Sequence, residues 1–461
     1  MSDRIVEETR DEELDRMLGD RPGDLPASRR ETAPAVRTIV PAVNLQTPAL
    51  GRRAVRPDIR SHLVGGTRYI ADLHLPGMLH VELLRSAEAH ARIRSIDLDE
   101  ARTMPGVVAT LTGAEVPVNS FGTTYFDQPV LASEIVRHRG DPIVAVAAET
   151  RQQARDAIAR VRVDYDPLPA VFDPLEALED DAPRIHGASN VYTSKTIVKG
   201  EVEAALADAD LVVSGRYRTQ MIEHVPLEPH AAIAEWHADG RLHVHSTNGR
   251  VTLARADLAR TLDMPMNKIV LQVPATGGNF GGKNEIRTEP VVALIARKTG
   301  RPAMALRSRE EEFTSSTVRH PIVMDYETGV TADGRLVARS VRLVLDGGAY
   351  ASWSETTVGK AAILAAGPYL IPNVRVEAMA VYTNKTVTGA MRGFGAPQVC
   401  FAYESQMDEI ARRLDMDPIA IRLLNGFEEG SISHTGQVLE AVALRDTLLK
   451  AAETFGWEVP G

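Results

Sequence analysis

Ten residues most constrain what this chain can fold into: Ala275-Thr276-Gly277-Gly278-Asn279-Phe280-Gly281-Gly282-Lys283-Asn284. They lie between KIVLQVP, which reads as a strand, and TEPVVALIARKTG, which reads as a helix closed by Gly300. Four glycines in so short a run open backbone angles closed to other residues and let the backbone come close to a ligand. Amides gathered ahead of a helix suit an anion such as a phosphate. From Gly277 through Gly282-Lys283 the spacing nearly matches a P-loop, but Asn284 stands where that motif needs a magnesium-binding hydroxyl. A nucleotide hydrolase therefore remains a rival reading, and a ligand-free turn the plainest one.

A second glycine-rich run, Gly389-Ala390-Met391-Arg392-Gly393-Phe394-Gly395-Ala396-Pro397-Gln398, precedes the strongest helical pattern in the chain, PQVCFAYESQMDEIARRL. An arginine among glycines can present its planar fork to a carboxylate, carbonyl or phosphate, or simply sit on a loop surface. Glu223-His224-Val225-Pro226-Leu227-Glu228-Pro229-His230 invites a metal reading. Its two prolines prevent the helix that an HExxH site needs, so structural hydrogen bonding is expected of both histidines, with no protein-ligated metal.

Composition narrows the choices. A formal charge of −10 argues against a generic nucleic-acid binder, which needs basic surface for phosphates. The single cysteine, Cys400, cannot build an iron–sulfur cradle, so any such cluster belongs to another chain. Cys400 itself, among apolar residues near a helix start, is expected in the core. No run approaches the ~20 apolar residues of a membrane span, and the start has no apolar signal core. A cytoplasmic location, with neither membrane nor nucleic acid as partner, follows as the expectation.

The chain divides into a charged, Pro-rich arm at 1–60, a first unit at 61–175 and a second at 190–461. The first alternates short runs, MLHVELLRS, GVVATLTG and DPIVAVAAET, before the helical RQQARDAIARV. The second holds RLHVHST and KIVLQVP as strands and a hairpin around Asp333–Gly334. Asp417–Pro418 reads as an N-cap followed by proline at the first helical turn, and a last helix runs over LEAVALRDTLLKAAETFG to Gly456. The class is α+β.

Several motifs agree, in order, from about residue 62. Arg85-Ser86-Ala87-Glu88-Ala89-His90-Ala91-Arg92-Ile93 with Ile96-Asp97, then Pro105-Gly106-Val107-Val108-Ala109, Asp127-Gln128-Pro129-Val130-Leu131-Ala132 and VRVDYDPLPAV resemble the α/β hammerhead domain of molybdenum hydroxylases, the xanthine dehydrogenase/aldehyde oxidase family. LEPHAA, GGNFGGK, MRGFGAPQ and DPIAIRLLN are similar to that family's first molybdopterin-binding domain. The resemblance implies an oxidoreductase holding molybdenum through a pterin dithiolene, in the molybdopterin or the cytosine dinucleotide form. It would hydroxylate an N-heteroaromatic or related small molecule with water as oxygen donor. Reductive dehydroxylation and a non-catalytic scaffold stay open as alternatives.

Carried over by motif, Gly278, Asn279, Phe280, Gly281 and Gly282 are expected at the cofactor. Arg392 is expected to orient substrate beside it. Three positions depart from the family pattern. Asn248 follows Ser246-Thr247 where many members carry glutamine near the metal; it keeps the amide donor one methylene shorter and is expected, with Arg392, in a catalytic role. Asn284 stands where purine enzymes have glutamate, with Glu285 one residue late. Thr435 aligns with a purine-sandwiching aromatic. The last two weaken xanthine as substrate while keeping Asn284, Glu285 and Thr435 as pocket candidates. The family's catalytic glutamate, in a later GxGE segment, has no match here. The resemblance to split, nicotinate dehydrogenase-type members implies a second molybdopterin chain supplying it, with 2Fe-2S and FAD on further subunits.

Overall fold

The computed structural model describes residues 56–459, so all but the last residues of the expected arm lie outside the described residues. Two compact units divide between Thr67 and Arg68. The described part of the first holds one short helix, α1 (Ile59–Leu63). The second unit carries everything that follows.

From Arg68 the chain runs through β1 (Leu79–Arg85), β2 (Ala91–Asp97), α2 (Asp99–Thr103), β3 (Val107–Thr112), β4 (Ile135–Val136), β5 (Pro142–Ala148), α3 (Arg151–Ile158) and β6 (Arg162–Pro167). Thr150 and Gln153 close a reciprocal capping box on α3, and Ala154 and Ala157 turn inward at helical spacing. Next come β7 (Val191–Lys199), α4 (Val202–Ala207), β8 (Leu211–Arg218), β9 (Ala231–Trp236), β10 (Leu242–Ser246), α5 (Val251–Thr261) and β11 (Ile269–Gln272). After the glycine run follow α6 (Glu289–Thr299), β12 (Ala303–Leu306), α7 (Arg309–Ser315), β13 (Ile322–Val330), β14 (Leu336–Gly348), α8 (Ser354–Leu364) and β15 (Asn373–Tyr382). Helices α9 (Ala396–Arg413), α10 (Pro418–Asn425) and α11 (Leu444–Phe455) complete the order.

A seven-stranded sheet, β11-β10-β9-β12-β1-β5-β3, draws strands from both expected regions, because β1 pairs parallel with β12 and antiparallel with β5. Helix α6 packs against it and is buried from Glu289 to Ala296, as an almost wholly apolar helix must be. Val291, Val292, Leu294 and Ile295 there contribute about 1.5–3 kcal/mol each. Gly300, left-handed at φ 66, ends the helix as expected. A five-stranded sheet, β7-β15-β14-β13-β8, forms the second core with α8 and α9. Its β13–β14 hairpin turns at Gly334, φ 88. Strands β4-β2-β6 make a small third sheet.

In α9, Val399, Ala402, Met407 and Ile410 form the expected buried stripe. Cys400 does not share it: the thiol is exposed, correcting the core expectation. One residue is about 100° of helix rotation, which carries Cys400 off the stripe that Val399 opens. The Asp417 carboxylate caps α10 by accepting from the Ile419 and Ala420 amides. Helix α11 starts at Leu444 rather than Leu439, because Ala441 is left-handed at φ 57 and the Val442 amide is held by Glu429. Among the described residues no helix is long and apolar enough to cross a membrane.

Parallel pairing decides where the loops go. Strands β10 and β11 run parallel, and so do β14 and β15. Each pair sends two loops off its carboxyl ends, where ligands of open α/β sheets collect. These are residues 247–250 and 273–288 from the first pair, and 349–353 and 383–395 from the second.

Candidate functional site

The loops of the two sheets are bonded to each other. The Arg392 amide donates to the Phe280 carbonyl at 2.8 Å, and within the first sheet's pair of loops the Gly249 amide donates to the Lys283 carbonyl at 2.6 Å. Gly281 sits at the seam with φ 107, and a Cβ there would lie 2.6 Å from the Ala390 oxygen. Asn279 folds its own loop: Oδ1 accepts from the Gly281 and Lys283 amides, and Nδ2 donates to Asn284 Oδ1. Phe280 holds a left-handed φ of 52, costly for an aromatic residue, with its ring exposed. Among the described residues the amides of Gly278, Asn279 and Phe280 meet no acceptor. Successive free backbone donors are available to electron-rich atoms.

Several expectations change here. The helix after the loop begins only at Glu289, so these amides are not those of its first turn. Lys283 is fully buried with its ammonium 3.1 Å from Glu228, whose carboxylate also accepts from the Gly277 amide. Burial pushes Lys283 down, and Glu228 pulls the other way. The lysine is thus engaged inside the protein and does not reach outward as a phosphate-binding P-loop lysine would.

Both histidines of the Glu223–His230 segment hold backbone. His224 Nε2 donates to the Ala390 carbonyl at 2.7 Å. His230 Nδ1 lies 2.8 Å from Glu312, and its Nε2 is 3.1 Å from the Gly282 carbonyl. Burial raises the Glu312 carboxyl, but the charge and ring N–H of His230, with Arg307 behind, hold it well below the usual carboxylate range.

Asn248 is buried and serves backbone on both sides, Nδ2 donating to the Glu285 carbonyl at 2.9 Å and Oδ1 accepting from the Arg250 amide at 2.8 Å. Glu285 is buried too, paired with Arg287 at 2.7 Å and accepting from Ser352 Oγ at 2.9 Å. It braces the loops from beneath. Nearby on α5, burial and Glu285 push Asp257 up to about 7, with Arg260 opposing. Thr435 stands apart: it is exposed, with its hydroxyl on Ser433 at 2.9 Å, and no hydrogen bond among the described residues ties it to either loop.

One group escaped the sequence reading. Arg250 lies over the Trp353 ring at 4.5 Å, Trp353 meets Phe394 edge to face at 6.3 Å, and Lys360 lies 5.4 Å from the Phe394 centroid. Arg250 follows Gly249, which packs against Asn279 and Asn284, and Phe394 follows Arg392 by two residues. The wall therefore borders the same seam. Arg250, Lys360 and Arg392 are exposed, and among the described residues none has a carboxylate within ion-pair distance. On a chain of charge −10, Arg250 and Lys360 against these two rings, with Arg392 two residues before Phe394, make a local cationic field. Asn284 sits partly exposed between this wall and the glycine seam.

Comparison with known proteins identifies the two domains. Residues 185–426 match the molybdopterin cofactor-binding domain, and residues 64–169 the a/b hammerhead domain of aldehyde oxidase and xanthine dehydrogenase. The chain is 40% identical over 406 residues to the nicotinate dehydrogenase large molybdopterin subunit of Eubacterium barkeri, covering 88% of itself and 96% of that protein. Aldehyde oxidoreductase from Desulfovibrio gigas superposes with a TM-score of 0.84 at 33% identity, over 87% of this chain and 46% of that one. For quinoline 2-oxidoreductase from Pseudomonas putida 86 the TM-score is 0.82 at 33% identity, over 88% and 54%. The chain thus spans about half the length of these two solved relatives and nearly all of the nicotinate dehydrogenase subunit. With hammerhead and molybdopterin-binding domains in order on an α+β fold, the chain belongs to the aldehyde oxidase/xanthine dehydrogenase family of molybdenum oxidoreductases.

Proposed function

We propose that this chain is the molybdopterin-binding part of a multi-subunit, cytoplasmic molybdenum hydroxylase that oxidises an anionic N-heteroaromatic compound with water as oxygen donor. The observation that carries this reading is the cation–aromatic wall beside the unpaired loop amides.

The donor set fits a pterin dithiolene. Gly278, Asn279 and Phe280 offer amides to its electron-rich atoms, and Gly281 and Gly282 let the loop close against Ala390 and His224, which holds those amides in place. When bound, the cofactor supplies the oxygen and two-electron chemistry. The protein's share is positioning and charge. Trp353 and Phe394 give a planar ring something to pack on. Arg250, Lys360 and Arg392 attract an anionic substituent and stabilise negative charge developing on the ring. The exposure of these cations limits each one's contribution to binding.

A base within hydrogen-bond reach is needed to activate water. This reading assigns it to a glutamate on a second molybdopterin chain, and 2Fe-2S and FAD to further subunits. Nearly complete coverage of a relative named as a large molybdopterin subunit supports such an assembly. The single cysteine agrees, since a four-cysteine cluster needs more thiols.

The test is metal and subunit analysis of the complex purified from its native host, followed by dye-reduction assays. Molybdenum near one per copy of this chain, with a GxGE-bearing partner, is expected. A pyridine carboxylate should be oxidised with a lower KM than its neutral amide. Equal KM values would sink the anionic substrate class, and electron flow only into a hydroxylated aromatic would favour the reductive reading. Absence of both molybdenum and partner would leave a scaffold role. CMP released by acid hydrolysis would mark the cytosine dinucleotide form.

A further inference from the structure

Segment Glu223–His230 grips both glycine loops and belongs to neither. Its grip on the 389–395 loop is the His224 bond to the Ala390 carbonyl. The same ring packs on the other loop, where a Cβ at Gly282 would lie 3.0 Å from it. Pro226 lies against the Phe280 side of Gly278. Glu228 holds the Gly277 amide and Lys283 Nζ, pinning the loop at its start and near its end. His230 completes the set by reaching the Gly282 carbonyl while tied to Glu312 through both its ring Nδ1 and its main-chain amide.

We infer that His224 and His230 are positioning residues that set the two glycine loops at one fixed separation and thereby aim the Gly278–Phe280 amides. The geometry of His230 is specific to that task. Both of its ring nitrogens face acceptors alone, the Glu312 carboxylate on one side and the Gly282 carbonyl on the other. The ring therefore spans from one to the other as a strut. Its anchor, Glu312, is wholly buried on α7, whose Arg309 also donates to the Pro226 and Leu227 carbonyls. The segment is thereby fastened to a helix as well as to both loops. A strut between rigid elements can hold donors to the tolerance a cofactor needs. The importance of the aim rests on the molybdopterin reading; the strut itself does not.

The experiment uses two variants of the complex that each keep one end of the strut. His230→Gln places an amide N–H near the position of Nε2 and keeps the Gly282 bond. His230→Asn places one near Nδ1 and keeps only Glu312. Hydrogen–deuterium exchange of peptides spanning 275–284 and 389–395 is measured alongside molybdenum content and the electron paramagnetic resonance signal of the reduced metal. His230→Asn should speed exchange in the 275–284 peptide at least tenfold, lower molybdenum several-fold and alter the signal, and His230→Gln should restore most of each. His224→Gln, which keeps a donor for Ala390, should likewise exchange more slowly than His224→Ala. Identical exchange in His230→Asn and His230→Gln, whether slow or fast, would overturn the strut. A wild-type complex without molybdenum would remove the molybdopterin reading and leave the exchange comparison to decide the strut by itself.

Discussion

Replacing Gly281 with valine tests the seam between the loops most directly. At φ 107 any residue with a side chain is strained, by about 1–3 kcal/mol. The new Cβ would also lie 2.6 Å from the Ala390 oxygen, 2.8 Å from its carbonyl carbon and 3.0 Å from the Met391 Cα. All three are backbone atoms, so no side-chain rotation relieves the clash. The loops must part, and the bond from the Arg392 amide to the Phe280 carbonyl goes with them, about 1 kcal/mol more. The sum, about 2–4 kcal/mol, shifts the balance between joined and parted loops roughly 30- to 700-fold. That is well short of the ~5–15 kcal/mol that holds a domain together, so the fold should survive. Gly436→Ala is the control, because φ there is 82 but nothing lies within 4 Å of the added Cβ. Molybdenum per chain should fall at least tenfold in Gly281→Val and stay normal in Gly436→Ala, with both variants melting as folded protein. Wild-type molybdenum in Gly281→Val, or equal loss in the control, would refute the reasoning.

Three further outcomes follow from the same geometry. Arg392→Ala should lower turnover at least tenfold with molybdenum content nearly unchanged, because the loop bond uses the Arg392 amide and leaves the guanidinium for substrate; equal losses of both would make the side chain structural. Glu228→Gln leaves the buried Lys283 ammonium without its counter-charge, so the urea midpoint should report a loss of about 3–5 kcal/mol. An unchanged midpoint would contradict the buried pair. Asp257→Asn should stabilise the protein increasingly with pH. An acid raised to about 7 in the fold binds its proton more tightly there than in the unfolded chain, so the wild type loses stability as pH climbs from the ordinary 3.8 to about 7 and is level above. The ceiling is about 4 kcal/mol before solvent screening. Parallel melting-temperature profiles for wild type and variant across that window would dismiss the effect.

Local pattern carried much of the fold. The stripe of α9, the Asp417 cap, the Gly300 stop and the Gly334 turn each depend on residues within a few positions, so the sequence displays them directly. The apolar neighbours of Cys400 point to the core, but its angle on the helix turns it to the surface. The glycine loop was legible as a motif, but the engagement of Lys283 was not, since Glu228 lies 55 positions away. Thr435 rested on alignment to an aromatic, and nothing in its surroundings here joins it to the loops.

The most instructive omission is the pair Trp353 and Lys360. They flank and occupy SETTVGKAAIL, an unremarkable helical segment with neither glycine cluster nor charge run. What gives them a place at the seam is strand order: β14 pairs parallel with β15, so the segment after β14 emerges beside the one that leads from β15 to Phe394. The other sheet repeats the arrangement, β10 and β11 setting Gly249, the residue before Arg250, against Asn279. Each parallel pair thus contributes one glycine-rich loop and one loop of ordinary composition. Glycines mark the first kind because close backbone approach requires them. The second kind only has to point a side chain at the seam, and many sequences can do that. A site built at the carboxyl ends of two parallel pairs is therefore half visible in sequence by its own logic, and the hidden half is the one that brings Arg250, Trp353 and Lys360 to the cation–aromatic wall.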